Sequence, residues 1–176
     1  MKVCIYGAGA IGGWLGVKLA RAGCAVSVVA RGATLEAVNQ HGLRLKDGGD
    51  VLSASVRASA NPAELGVQDL IVVAVKSQAM ADVAQAIGPL IGPDTIVLTA
   101  MNGVPWWFFE GFGGSFAGTR LKAVDPDGSI ARAIPVRHIV GCVVHASCSV
   151  EAPALVVRHF GNKLIVGEPS GEDSAR

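Results

Sequence analysis

Four short patterns in this 176-residue chain carry residue types that do chemistry. The first is Gly7-Ala8-Gly9-Ala10-Ile11-Gly12, a GxGxxG that follows the apolar run 3–6 and opens a helical pattern. In that context the spacing suits a dinucleotide. The first glycine permits a tight turn, the second lets the backbone approach a pyrophosphate, and the third lets helix and strand pack closely. The pyrophosphate would rest on the positive end of the helix; the plainer alternative is a glycine-rich turn with no ligand. Arg31 stands at the end of a second apolar run, where an NAD site usually has an acidic residue for the ribose 2′-hydroxyl. An arginine leaves that hydroxyl unread and offers its fork of donors to the 2′-phosphate of NADP.

The other two patterns sit at later strand ends. Lys76 closes the apolar run 70–75, which places it at the carboxyl edge of a parallel strand, where ligands of doubly wound sheets bind. It can meet a cofactor phosphate or the reacting end of the site; a lysine snorkelling from a strand end is the other reading. Asn102-Gly103 follows the next such run. Its amide can donate to a carbonyl and accept from a hydroxyl or carboxamide, and Asn-Gly is equally a common turn dipeptide. The backbone near Ala146 is a better cofactor contact than the side chain of His145. The four histidines and the four cysteines read as structural, since no CxxC pair or metal-ligand spacing occurs. No metal site is expected, and no Ser/His/Asp set or paired carboxylates stand out.

Elements must hold these residues at one edge. Apolar runs at 3–6, 25–30, 70–75 and 95–100 read as parallel strands buried on both faces. Between them, Ile11, Leu15, Leu19 and Ala22 recur at helical spacing up to Gly23, and 34–40 makes a short helix closed by Gly42. Asn61-Pro62 is a helix start, and Ser77 can cap a helix lined by Met80, Val83, Ile87 and Leu90. A hairpin is expected around Asp47-Gly48-Gly49, with 51–56 running back. Strands alternating with helices predict an α/β, Rossmann-type, doubly wound and mainly parallel sheet. The domain is expected over 1–168 with a long irregular insertion at about 105–137, which holds the aromatic cluster 106–109 and Gly111, Gly113, Gly114 and Gly118. The runs 139–145, 155–157 and 164–166 read as strands, and 169–176 as a polar linker or tail. The aromatic cluster suits core packing or a partner surface better than a substrate box.

Composition excludes other classes. At 51% hydrophobic and 16% charged residues, with a net charge of +1, the chain is neither disordered nor surrounded by a basic field for nucleic acid. No run approaches the roughly 20 apolar residues of a membrane span. A soluble, cytoplasmic protein is the expectation, with no nucleic-acid or membrane partner.

Together, the glycine motif, Arg31, 75–78 (Val-Lys-Ser-Gln) and 101–104 (Met-Asn-Gly-Val) resemble the ketopantoate reductase (2-dehydropantoate 2-reductase) family, and 141–147 and 161–167 are similar to its cofactor domain. The resemblance spans about residues 1–168. It implies NADPH-dependent reduction of 2-dehydropantoate to pantoate, on the route to pantothenate and coenzyme A. It also implies that the glycines hold the pyrophosphate, that Arg31 meets the 2′-phosphate, and that the backbone around Ala146 touches the nicotinamide side. Lys76 and Asn102 then lie near both the cofactor and the 2-oxo acid substrate. The family's general-acid lysine comes from a helical C-terminal domain, and this chain stops at its polar tail before such helices. It is therefore expected to bind NADPH without turning over. The segment 106–137 is longer and more aromatic than the family pattern, which leaves open a reductase of another 2-oxo acid. A non-catalytic dinucleotide-binding module is the rival from another class. A homodimer through the absent domain or the aromatic segment also stays open.

Overall fold

In the computed structural model, which describes residues 1–111 and 114–175, nine strands form one sheet. In chain order they are β1 (Lys2–Tyr6), β2 (Ala25–Val29), β3 (Leu43–Asp47), β4 (Asp50–Ala54), β5 (Arg57–Ser59), β6 (Leu70–Val73), β7 (Ile96–Ala100), β8 (Ile139–Ala152) and β9 (Leu155–Gly167). The helices are α1 (Ala10–Arg21), α2 (Gly32–His41), α3 (Met80–Ala86) and α4 (Ser129–Ala133). The spatial order is β4-β3-β9-β8-β7-β6-β1-β2-β5. From β5 to β8 every neighbouring pair is parallel, whereas β8–β9 and β3–β4 are antiparallel. This is the Rossmann-type α/β sheet that the alternating pattern predicts.

Two apolar layers cover it. Successive residues of a strand point to opposite faces, so Val3, Ile5 and Val72 join the layer around α1 while Cys4, Ile71 and Val73 join the one around α3 and α4. All six are almost fully buried, as continuous apolar runs require. Helix α1 touches β1 and β2 and also β3, β4, β8 and β9, so the sheet curls around it. Glycines make that possible. A Cβ on Gly13 would sit 2.8 Å from Val156 Cγ1, and one on Gly16 2.5 Å from Leu43 Cδ1.

Several expectations are corrected. The runs 155–157 and 164–166 are one strand, β9, which pairs with β8 through a bulged register. Gly161, at φ +73°, turns β9 where an added Cβ would lie 2.3 Å from His145 O. The return strand of the hairpin ends at Ala54, and 57–59 leaves for the far edge as β5, paired with β2. Its Arg-Ala-Ser sequence carries no apolar signal. Asn61-Pro62 opens only a 3-10 turn at Pro62–Glu64, with Asn61 Oδ1 accepting from Ala63 N–H at 3.1 Å; Gly66, at φ +67°, follows it closely. Ser77 caps nothing: it begins a 3-10 turn, and α3 is only seven residues long before Gly88 and Pro89 end it.

Within 105–137 the described residues up to Gly128 form only turns and bends, and α4 and a 3-10 turn beginning at Val136 follow. Trp106, Ile130 and Ile134 are buried in the α3 layer, and the fully buried Asp125 accepts from the N–H groups of Ile130 and Ala131, capping α4. A carboxylate at a helix N-terminus is favoured by the orphan donors there. Gly113 lies outside the described residues.

One charged cluster ties the curled sheet to α1. Asp47 of β3 receives hydrogen bonds from Lys18 of α1 and from Arg158 of β9, the latter through Nε at 2.7 Å and through Nη2. Lys18, then Arg158, holds its carboxyl below the ordinary value of 3.8. A depressed folded-state pKa stabilises the fold fully above the unfolded-state value, and that contribution is lost as pH falls through the lower folded value. Asp47→Asn is therefore expected to cost about 2 kcal/mol near neutrality. It should also flatten the acid side of the stability–pH curve below pH 3.8, measured by urea unfolding. An unchanged acid limb would contradict this role.

Candidate active site

The site lies where the sheet's winding reverses. The chain leaves β1 toward β2 on one side, whereas β6 lies on the other, so the loops after β1 and β6 diverge and leave a crevice at their carboxyl ends. The loop after β1 is the glycine motif. Gly7, at φ +97°, donates its N–H to Val29 O at 3.1 Å, and a Cβ there would strike Val75 Cγ1 at 2.7 Å. Gly9 is the N-cap of α1 and leaves the helix with no side-chain cap and no acidic residue in its first turn. Ala10, Ile11 and Gly12 form that turn, and Gly12 lies so close to the loop that its Cβ would fall 1.9 Å from Gly7 O.

A cleft of about 300 Å³ opens over this loop, lined by Gly7, Ala8 and Gly9, by Arg31 and Thr34, and by Asp82 of α3. A dinucleotide fits it on three counts. Open space adjoins Gly9 where a Cβ would stand, the first-turn donors of α1 have no competing side chain, and Arg31 extends into solvent at the rim with 76% of its side chain exposed. Residues 29–31 (Val-Ala-Arg), where β2 ends, carry no carboxylate for a ribose hydroxyl.

Two further clefts continue along the edge. One of about 270 Å³ shares Val75 with the first and is lined by Lys76, Gln78, Met101, Asn102 and Trp106. The other, about 400 Å³, shares Met101–Pro105 with the second and is walled by Trp107, Phe108, Val143 and Ile165. Lys76 is exposed and has no carboxylate partner among the described residues.

The family model described as ketopantoate reductase PanE/ApbA matches residues 3–106, which is more than half of the chain. The chain belongs to the ketopantoate reductase family. A 2-dehydropantoate 2-reductase from Mesorhizobium japonicum is 49% identical over 177 residues, covering 100% of this chain and 54% of that protein. One from Pyrococcus horikoshii is 33% identical over 105 residues, 59% of this chain and 34% of that protein. A crystal structure of a Ralstonia solanacearum protein assigned to the ketopantoate reductases superposes with a TM-score of 0.95 at 53% identity, over 98% of this chain and 54% of that one. The chain thus spans about half the length of the Mesorhizobium and Ralstonia proteins.

Within this ketopantoate reductase fold, the residues singled out from sequence divide by position. Gly7, Ala8, Gly9 and Arg31 line one cleft, Lys76 and Asn102 the next, and Ala146 lines none of the three. Ala146 sits in the bulge between His145 and Ser147, opposite Gly161. Asn102 is already occupied: its Oδ1 accepts from Val144 N–H at 2.8 Å and its Nδ2 donates to Val144 O at 2.9 Å. The amide thereby extends the β7–β8 ladder beyond Ala100 and leaves one Nδ2 hydrogen for a ligand. Asn102→Ala is expected to cost about 2 kcal/mol in urea unfolding, because it unpairs both backbone groups of Val144. Unaltered stability would mean that this amide pair contributes nothing to the fold.

Residues without a sequence signal complete the first cleft. Tyr6, whose hydroxyl is pushed up by burial and partly drawn back by Arg31, forms one wall, and Val150 of β8 reaches another. The histidines take other places. Buried His138 pairs through Nδ1 with Thr95 O at 2.9 Å, and exposed His159 pairs with Ser149 Oγ at 2.9 Å. Burial pushes the Cys4 thiol up to about 12, which leaves it protonated and inert at neutral pH. No helix among the described residues is long and apolar enough to cross a membrane.

Proposed function

We propose that this chain is the NADPH-binding half of an enzyme that reduces 2-dehydropantoate to pantoate, for pantothenate and coenzyme A synthesis. The observation that carries the cofactor choice is Arg31, exposed on the rim of the glycine-loop cleft at a β2 end that lacks an acidic residue. Family membership and whole-chain similarity to a 2-dehydropantoate 2-reductase support the substrate.

In this reading Gly7, Gly9 and the first turn of α1 hold the pyrophosphate, and Arg31 with Thr34 holds the 2′-phosphate. When bound, NADPH supplies a hydride to the ketone carbon of the 2-oxo acid. Lys76 meets the substrate carboxylate or a cofactor phosphate, and the remaining Nδ2 hydrogen of Asn102 donates to ligand from a position that Val144 fixes. The proton for the developing alkoxide comes from a lysine outside these 176 residues, acting as a positioned general acid. The apolar wall of Val104, Trp107, Phe108, Val143 and Ile165 favours a second reading, a 2-oxo acid with a bulkier side chain.

Mixing the chain with NADPH and 2-dehydropantoate and following cofactor absorbance tests this division of labour. Cofactor binding without turnover is the expected result. Ordinary steady-state reduction by the chain alone would place the general acid inside it and overturn that part of the proposal.

A further inference from the structure

Resting on the cofactor reading above, we propose that Asp82 is a specificity-setting residue that competes with the 2′-phosphate for Arg31 and so limits the preference for NADPH over NADH. Asp82 is in the first turn of α3, on the opposite bank of the glycine-loop cleft from β2. Its Oδ2 lies 3.7 Å from Arg31 Nη2, and both side chains are largely exposed, at 66% and 76%. Both residues line the cleft, so the pair spans it at the end where a ribose 2′-substituent must sit if the pyrophosphate rests on Gly9.

Two consequences follow from charge. Arg31 cannot offer its whole fork to a phosphate while one branch faces a carboxylate, so binding the 2′-phosphate displaces Asp82 from the pair. A phosphate that took the place of Asp82 on Arg31 would still face the Asp82 carboxylate from across the same cleft, and the two would repel each other. A ribose 2′-hydroxyl pays neither cost. The opposing possibility is that Asp82 preorganises Arg31, but an ion pair this exposed holds a flexible arginine only weakly. Repulsion therefore decides the sign. Removing the carboxylate charge strengthens 2′-phosphate binding and leaves 2′-hydroxyl ligands alone.

Adenosine 2′,5′-bisphosphate and 5′-AMP differ only in the 2′-phosphate, so their affinities for wild type, Asp82→Asn, Arg31→Ala and the double variant separate the effects. Asp82→Asn is expected to tighten the bisphosphate by about threefold to fivefold. The 5′-AMP affinity is expected to move by less than about twofold, and in the Arg31→Ala background most of the gain disappears. A merely structural role at the start of α3 would shift both ligands together. If wild type prefers the bisphosphate and Arg31→Ala removes that preference, the cofactor reading stands; an Asp82→Asn affinity equal to or weaker than wild type then overturns this inference alone. A wild type that does not distinguish the two nucleotides overturns both.

Discussion

Gly12→Ala is expected to destabilise the fold by at least about 3 kcal/mol, while Gly9→Ala leaves stability within about 1 kcal/mol and instead weakens NADPH binding at least about tenfold. The contrast comes from what a Cβ meets. At Gly12 it would fall 1.9 Å from Gly7 O, a backbone atom of the loop that also bonds Val29, with Ile5 Cγ2 at 3.0 Å. The intrinsic gain of alanine over glycine inside a helix is only about 1 kcal/mol. Moving the loop away from β2, or α1 away from β1, costs more than that. At Gly9 nothing lies within 4 Å, and the backbone at φ −75°, ψ −161° is open to any residue. In the proposed binding mode the methyl group of Gly9→Ala would occupy the space through which a pyrophosphate reaches the α1 N-terminus. Urea unfolding and NADPH titration of both variants measure the two effects. A Gly9→Ala protein that binds NADPH like wild type would mean that the loop is structural only.

Arg31→Ala is expected to lower NADPH affinity about tenfold to thirtyfold and to leave NADH within about twofold. A charge-assisted hydrogen bond is worth about 1.5–3 kcal/mol. Solvent around a side chain that is 76% exposed holds the effect to the lower part of that range. For the same reason the NADPH advantage falls as salt rises from about 0.05 to 0.5 M, where the screening length shrinks to a few ångströms. Loss of NADH binding in parallel would show that Arg31 supports the cleft rather than reads the phosphate. Fluorescence titration of the nicotinamide follows both ligands.

The parallel half of this fold was legible because its strands are apolar on both faces and its glycine motif sits between a strand and a helix. Residues such as Ile5 and Val72 have no other place to go than the core. The rest depends on contacts between distant segments. Arg57–Ser59 is a strand only because β2 offers it a ladder. The β9 strand holds Arg158, His159, Asn162 and Lys163 because much of it is exposed, so no apolar run announces its length. At the site, spacing brought out Gly7, Gly9 and Arg31, which do share one cleft. It did not foresee Tyr6 or Asp82, since a lone tyrosine and a helical aspartate are ordinary until a curled sheet sets them around the same space. Nor did it foresee that Asn102 spends most of its hydrogen-bonding capacity on Val144, forty-two residues away.

In the proposed reading, this chain recognises a 2′-phosphate through its glycine-loop cleft. Calorimetric titration of the unmodified chain with NADPH and, separately, with NADH at about 0.1 M salt tests it most directly. NADPH saturating at a concentration at least about tenfold lower than NADH is the predicted result. Equal affinities, a preference for NADH, or no binding of either cofactor would contradict it.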